Sequence, residues 1–385
     1  MLGACALPEL AKRKSFKWRT YPPDVLPASV AEMDFDVAEP IADAIRAALA
    51  IGDTGYPHLG ELAEAFAEFS AARLGWLPDP ARVFAIPDVM TGISEVLLAT
   101  TPPGSGVVIS PPVYGPYFLR IGYIGRPVIE APLVPMSDGG YDLDADLLDQ
   151  ALARDGASAY LLCSPHNPLG RVWTGTELMT IADICLRRRV QLLVDEIHAP
   201  LVLPGAEFVA FGSLDHEMTE RAFIFNSASK GWNTAGLKCG IVVTGSAGAV
   251  DMLNERWEAL LAGHLGVLGS VAAFRLARPW LDAAIAQIGE NHVLLAKLLG
   301  EQLPQVRYAP GSASFLAWLD CRALGLGDDP ADAFLEHGRV ALSSGPFFGT
   351  QGAGFARLNI GTSPELVAEA VRRMAAATAA VRNLG

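Results

Sequence analysis

The chain has 385 residues, 51 % of them hydrophobic and 18 % charged, which suits one large layered core with a smaller companion. Its net charge is −13 and its Lys and Arg residues form no long stripe, so nucleic acid is excluded as an expected partner. No uncharged apolar run reaches the ~18–20 residues of a membrane span. Cys5, Cys163, Cys185, Cys239 and Cys321 form no CxxC pair, so neither a disulfide frame nor a metal site is expected. Leu2-Gly3-Ala4-Cys5 has the outline of a lipoprotein cleavage box. No charged region or apolar stretch precedes it, and a cytoplasmic protein is expected.

Residues 1–37 are irregular and proline-bearing, as in a segment that wraps another surface, and they include Val30-Ala31-Glu32-Met33-Asp34-Phe35. Glu39–Ala50 and Leu59–Leu74 carry apolar residues at helical spacing, with a turn cluster containing Tyr56 between them. Val83–Ile86 reads as a strand, and Met90-Thr91-Gly92 opens a helix to Thr101. The free N–H groups and positive dipole at such a helix start suit a phosphate dianion. Gly106–Ser110 is the next strand and runs into Pro111-Pro112-Val113-Tyr114; Tyr117 and Tyr123 follow on a helix and read as packing residues.

Pro127–Glu130, Ala157–Cys163 and Val190–Val194 read as strands, interleaved with helices at Asp144–Arg154 and Gly175–Arg188. This alternation predicts an α/β fold with a doubly wound, mostly parallel sheet. Three apolar runs end in Asn167, Asp195 and Lys230, at the strand ends where such sheets place ligands. Glu196 should point to the opposite face of the pleat. Cys239–Thr244 is one more strand, followed by helices at Ala247–Ala262 and Trp280–Leu299. Ser314–Leu319 and Phe355–Ile360 alternate like strands of a half-exposed sheet, with helices at Pro330–His337 and Pro364–Val381. The expected organisation is an N-terminal segment (1–45) packing with a smaller C-terminal α+β domain (281–385), beside a large domain (46–280).

Ser164-Pro165-His166-Asn167-Pro168, then Asp195-Glu196-Ile197-His198, then Ser227-Ala228-Ser229-Lys230 with Lys238 eight residues on, form an ordered set. With it the chain resembles the fold-type I pyridoxal-phosphate (PLP) enzymes of the class I/II aminotransferase superfamily. Within them it is most similar to the cystathionine β-lyase-like C–S lyases (the MalY/PatB type). The resemblance runs from about Trp18 to the C-terminus. It implies that Lys230 bonds the cofactor and shuttles the substrate's Cα proton. Asp195 would keep the pyridine nitrogen protonated, Asn167 would donate to the phenolate oxygen, and Tyr114 would stack on the ring. Met90, Thr91, Ser227 and Lys238 would hold the phosphate, with His198 nearby at a position that is tyrosine in many aminotransferases. Arg357 would grip the substrate carboxylate, since a guanidinium can donate two parallel hydrogen bonds, and the motif containing Ala31 would line the substrate pocket. Tyr56 would reach the phosphate of the neighbouring subunit's cofactor, in a homodimer with shared active sites.

Two positions depart from the family pattern. Lys238 stands where many relatives have arginine, a point charge in place of a fork. Ser29 stands where the family has tryptophan, which leaves room for a bulky substrate or for another side chain to fill the gap. No GxGxxG, Walker, HExxH or GxSxG motif competes. The resemblance implies α,β-elimination of a cysteine S-conjugate or cystathionine to a thiol, pyruvate and ammonia. The alternatives are transamination, and decarboxylation with deamination of an S-conjugated cysteine.

Overall fold

The structure is a computed structural model that describes residues 6–256 and 258–383; Leu2–Cys5, with the cleavage-box outline, lies outside them. Apolar runs that are buried on both faces make the central sheet. Its strands are β1 (Val83–Ile86), β2 (Gly106–Ile109), β3 (Val128–Glu130), β4 (Ala157–Cys163), β5 (Gln191–Asp195), β6 (Phe223–Asn226) and β7 (Gly240–Thr244). They lie in the order β1-β7-β6-β5-β4-β2-β3. β7 is antiparallel to both its neighbours, and every other pair is parallel.

Because side chains alternate across a strand, consecutive residues feed two different cores. Val108, Tyr160, Leu162, Leu192, Val194 and Ile224 face one core; Val107, Ala159, Leu161, Leu193, Phe223 and Phe225 face the other. The first is covered by α1 (Glu39–Ala50), α2 (Leu62–Arg73), α5 (Ala145–Leu152), α6 (Gly175–Arg188) and α9 (His264–Leu276). The second is covered by α3 (Val89–Thr100), α4 (Pro116–Tyr123) and α8 (Ala247–Glu255). Helices on both faces are the doubly wound architecture. Local chemistry sets the helix starts: Asp88 and Asp144 cap α3 and α5, and Thr174 with Glu177 closes a capping box on α6.

A second sheet is antiparallel, with β8 (Leu316–Asp320), β9 (Ser343–Ser344) and β10 (Phe355–Asn359) in the order β8-β10-β9. It packs with α11 (Pro330–Gly338), α12 (Pro364–Arg382) and the second half of α10 (Arg278–Gln302) around a core of its own. α10 gives Leu281, Ala284 and Ile288 to the large core and Leu295 and Leu299 to the small one. Leu26–Pro27 of the N-terminal segment pairs in parallel with Val340–Ala341.

Three expectations need correction. The small sheet is not half-exposed: every residue of β10 is buried. Its alternate residues Ala356 and Leu358 enter the small core while Phe355 stacks on Trp318 and Arg357 faces the large unit, so both faces are covered. The helix expected over 247–262 stops at Glu255. Tyr123, expected to pack, is 81 % exposed at the last residue of α4. Among the described residues no helix is long and apolar enough to cross a membrane.

Candidate active site

Parallel strands that end side by side deliver their loops to one edge. Cys163 on β4 is in register with Asp195 on β5, and Asp195 with Phe225 on β6. The loops beyond them bring Asn167, Asp195 and Lys230 together at the carboxyl edge. β7 begins at this same edge, with Gly240 beside Ile86 at the end of β1, so Lys238 meets Asp88. A Cβ on Gly240 would stand 3.1 Å from Ile86 Cγ1 and 3.4 Å from the Val89 nitrogen, so the start of α3 packs closely on this glycine. A cavity of about 240 Å³ results, and Ala31, Met90, Tyr114, Asn167, Asp195, His198, Lys230 and Lys238 all line it.

Lys230 lies on α7 (Ala228–Gly231), the short turn after β6. Its Nζ donates to the Ala31 carbonyl at 2.8 Å. Burial pushes its pKa down to about 8, helped by the Arg357 charge and opposed by Glu32 and Asp195. Part of the amine is therefore neutral near physiological pH. Asp195 is buried, and burial pushes its carboxyl up to about 6. Three features pull it back toward the ionised form: the Tyr117 hydroxyl donates to Oδ2 at 2.6 Å, the Ile197 N–H donates to Oδ1 at 3.1 Å, and Lys230 is near. Glu196 turns to the other face, accepts from the Phe211 N–H at 2.7 Å, and is pushed up to about 8 by burial.

Arg357 comes from β10 of the small sheet and is buried beside the cavity. Its guanidinium donates to Asn167 Oδ1 at 3.0 Å, to the Ser29 carbonyl at 2.9 Å and to Ser343 Oγ at 3.1 Å, and lies 4.8 Å from the Phe348 ring centroid. Its Nε is buried with no acceptor, an unmet donor at a cationic group. Burial lowers even this guanidinium to about 10. His198 is buried, its Nδ1 3.1 Å from Ser314 Oγ; burial and the Lys230 and Arg357 charges push it down to about 3, so it is neutral.

At the start of α3 the N–H groups of Val89 and Met90 have no partner within the helix. Asp88 caps the next one, accepting from the Thr91 N–H at 2.8 Å. Two hydroxyls expected at this end are committed elsewhere. Thr91 Oγ1 donates to Asp88 Oδ2 at 3.0 Å; Ser227 Oγ donates to the Cys239 carbonyl at 2.7 Å and accepts from the Ser229 N–H at 3.0 Å. Neither residue lines the cavity, whereas Ser229 does. Lys238 holds a left-handed backbone (φ 58) and pairs with Asp88. Tyr56 is 89 % exposed and stands apart from the cavity.

Several residues of the site were not anticipated. Asp88 could have been suspected from its place just before the helix start. Ser229 sits in the quoted Ser-x-Ser-Lys run. Tyr117 carried no signal beyond helical spacing. Asn359 Nδ2 donates to the carbonyls of Val30 and Glu32 at 2.6 and 2.7 Å, and Asn233 exchanges hydrogen bonds with Met33 at 2.8 Å. Together they pin the N-terminal segment over Lys230.

Residues 23–374 match the family model described as aminotransferase class I and II. A Mycobacterium tuberculosis (strain H37Rv) protein provisionally named cystathionine beta-lyase is 44 % identical over 388 residues, which cover 94 % of each chain. Cystathionine beta-lyase PatB of Bacillus subtilis is 34 % identical over 364 residues, 92 % of each chain. Among solved structures, cystalysin from Treponema denticola, which contains a pyridoxal 5′-phosphate cofactor, superposes with a TM-score of 0.91 at 26 % identity, covering 97 % of this chain and 98 % of its own. The chain belongs to the aminotransferase class I and II family.

Proposed function

We propose that the protein is a PLP-dependent C–S β-lyase that cleaves a cysteine S-conjugate or cystathionine to a thiol, pyruvate and ammonia. The observation that carries this reading is the convergence of a depressed lysine and a buried acid on one cavity, with a buried arginine that bears an unmet donor bonded to the lining residue Asn167. The donor set fits the cofactor in kind. Asp195 suits a ring nitrogen, the face of Tyr114 suits the ring, and Asn167 suits the phenolate. The free N–H groups at the start of α3, with Ser229 and Lys238, suit the phosphate. In this reading Thr91 and Ser227 act as builders of the α3 and α7 starts.

When bound, PLP supplies an electron sink conjugated to the amino acid's Cα. Lys230 would hold the cofactor at rest, and as a free amine it would take the Cα proton of the substrate. Asp195 holds a proton on the ring nitrogen by staying ionised beside it. Arg357 holds the substrate carboxylate, which fixes the Cα–H bond toward Lys230 and leaves Cβ free to release the thiolate. Ala31 and its neighbours, pinned by Asn359 and Asn233, cover the lysine and restrict water.

The same reading includes a homodimer. Exposed Tyr56 lies in the turn between α1 and α2, two residues before His58, which lines an apolar face between α1 and α9 with Ile51, Leu59 and Leu276, a surface suited to a second copy whose site Tyr56 would complete. It places the enzyme in the cytoplasm, where buried free thiols such as Cys163 and Cys185 stay reduced. Its domains are 1–45, 46–280 and 281–385, the last supported by the separate small core.

The test is product analysis. The protein is incubated with S-alkyl cysteines and cystathionine without any keto acid, and thiol, pyruvate and CO₂ are measured. Equal amounts of thiol and pyruvate are expected. Turnover only with added keto acid would make it an aminotransferase, and CO₂ release a decarboxylating deaminase.

A further inference from the structure

Tyr117 is fully buried on α4 at 0 % exposure, and its hydroxyl oxygen lies 2.6 Å from Asp195 Oδ2. A phenol inside a core needs a partner for its O–H, and this one has chosen the carboxylate that the ring nitrogen would meet. We propose that Tyr117 is a positioning residue of this site, whose donated hydroxyl holds Asp195 ionised and fixed in orientation. The inference rests on the PLP reading for its catalytic consequence, but the contact itself belongs to the chain alone.

The groups that face Asp195 decide how much rests on this hydroxyl. Tyr114 stands edge-on to Tyr117 at 5.4 Å between centroids, is partly buried, and has its phenol pushed up by desolvation. Cys163, on the adjacent strand, is pushed up to about 12 by burial and brings no charge. Glu196, next in sequence, is pushed up to about 8 and is turned to Phe211. Lys230 is the cation near Asp195, and its charge is lost whenever its amine is neutral. The Ile197 N–H at 3.1 Å is longer than the Tyr117 contact. Burial and the Asp195 charge hold the Tyr117 phenol well above its usual range, so it remains a donor at any working pH. A short bond from a neutral donor to a carboxylate is of the charge-assisted kind. It favours the ionised acid, which burial alone would protonate.

The consequence is directional. With Tyr117 in place, Asp195 is held as a carboxylate, which would favour a protonated ring nitrogen in a bound cofactor. Without it, Asp195 becomes the better base and competes for that proton. One carboxylate has about four lone-pair sites, so Oδ2 can accept from Tyr117 and still leave room for the nitrogen. Tyr117 borders the cavity and acts through Asp195.

The experiment compares wild type with Tyr117→Phe, which keeps the ring and its packing. In the cofactor-free chain, the Asp195 carboxyl is followed by ¹³C NMR of aspartate-labelled protein, with its signal assigned by Asp195→Asn. The proposal expects the titration midpoint to rise by about one pH unit in Tyr117→Phe. In the holoenzyme, the acid limb of Cα–H exchange into D₂O should move to higher pH, with kcat lowered about tenfold and KM little changed. An unmoved Asp195 midpoint would overturn the proposal, whatever happens to activity. If Tyr117→Phe does not fold, the wild-type spectrum decides: a downfield, slowly exchanging hydroxyl proton that moves in Asp195→Asn supports the contact, and its absence overturns it. A wild type that binds no PLP would sink the functional reading and leave the NMR titration intact, so the two failures are told apart.

Discussion

Lys230 draws its reactivity from where the chain puts it. An ordinary lysine holds its proton up to about 10.4 and is a poor nucleophile at neutral pH. Burial at the end of β6, with Arg357 near, brings Lys230 down to about 8. The sign is that of a depressed base: below this value the amine is charged and inert, and as pH rises through it the free amine appears. Lys238, eight residues on, is half-exposed and paired with Asp88. Covalent capture of a cofactor aldehyde is thus predicted at Lys230, with a yield that rises with pH through about 8. The sequence carried the positions of Asn167, Asp195 and Lys230, because each follows an apolar run into a polar turn. It did not carry the direction of a hydroxyl. Thr91 and Ser227 are small hydroxyl residues beside helix starts, and such residues cap as readily as they bind ligands; which they do depends on neighbours far away in sequence, such as the Cys239 carbonyl.

The elements of the large unit were legible because most strands are short apolar runs buried on both faces, and helices such as Val89–Thr100, Ala145–Leu152 and Gly175–Arg188 start at a capping side chain. Glu39–Ala50, Val83–Ile86, Ala157–Cys163 and Gly175–Arg188 begin and end where the sequence pattern does. The small sheet was misread for a physical reason. Alternation of apolar and polar residues along β10 suggested a solvated face, but its polar members, Arg357 and Asn359, turn inward to the site and the N-terminal segment. Asn359 holds two carbonyls of the strap over Lys230. Asn359→Ala leaves both without that donor and is expected to cost about 1–3 kcal/mol of stability. Loosening the strap should also raise KM for substrate about tenfold or less while PLP affinity stays within about twofold, which substrate kinetics and a cofactor titration would check. Equal losses in both would mean that the strap supports the cofactor instead.

At the scale of the molecule, the site draws residues from the N-terminal segment, the large sheet and the small sheet. Ala31, Lys230 and Arg357 are far apart in the chain, yet Lys230 donates to Ala31, and Arg357 to Ser29 and Asn167. No local pattern specifies such an assembly; the ordered motifs made it readable. In the proposed reading a second copy is the remaining contributor. Tyr56, exposed in the same turn region as Ile51 and Leu59, is predicted to serve the partner's phosphate. Tyr56→Phe should weaken PLP binding, and mixing Tyr56→Phe with Lys230→Ala subunits should restore one intact site per heterodimer. Unchanged PLP affinity in Tyr56→Phe, or no recovery on mixing, would contradict a shared site.

The most direct measurement is to add PLP to the cofactor-free protein at a series of pH values, reduce with borohydride, and map the modified peptide. The account predicts a yellow protein and a single labelled residue, Lys230, with capture rising through pH of about 8 and lost in Lys230→Ala. A colourless protein, or labelling spread equally over Lys238 and the surface lysines, would contradict it.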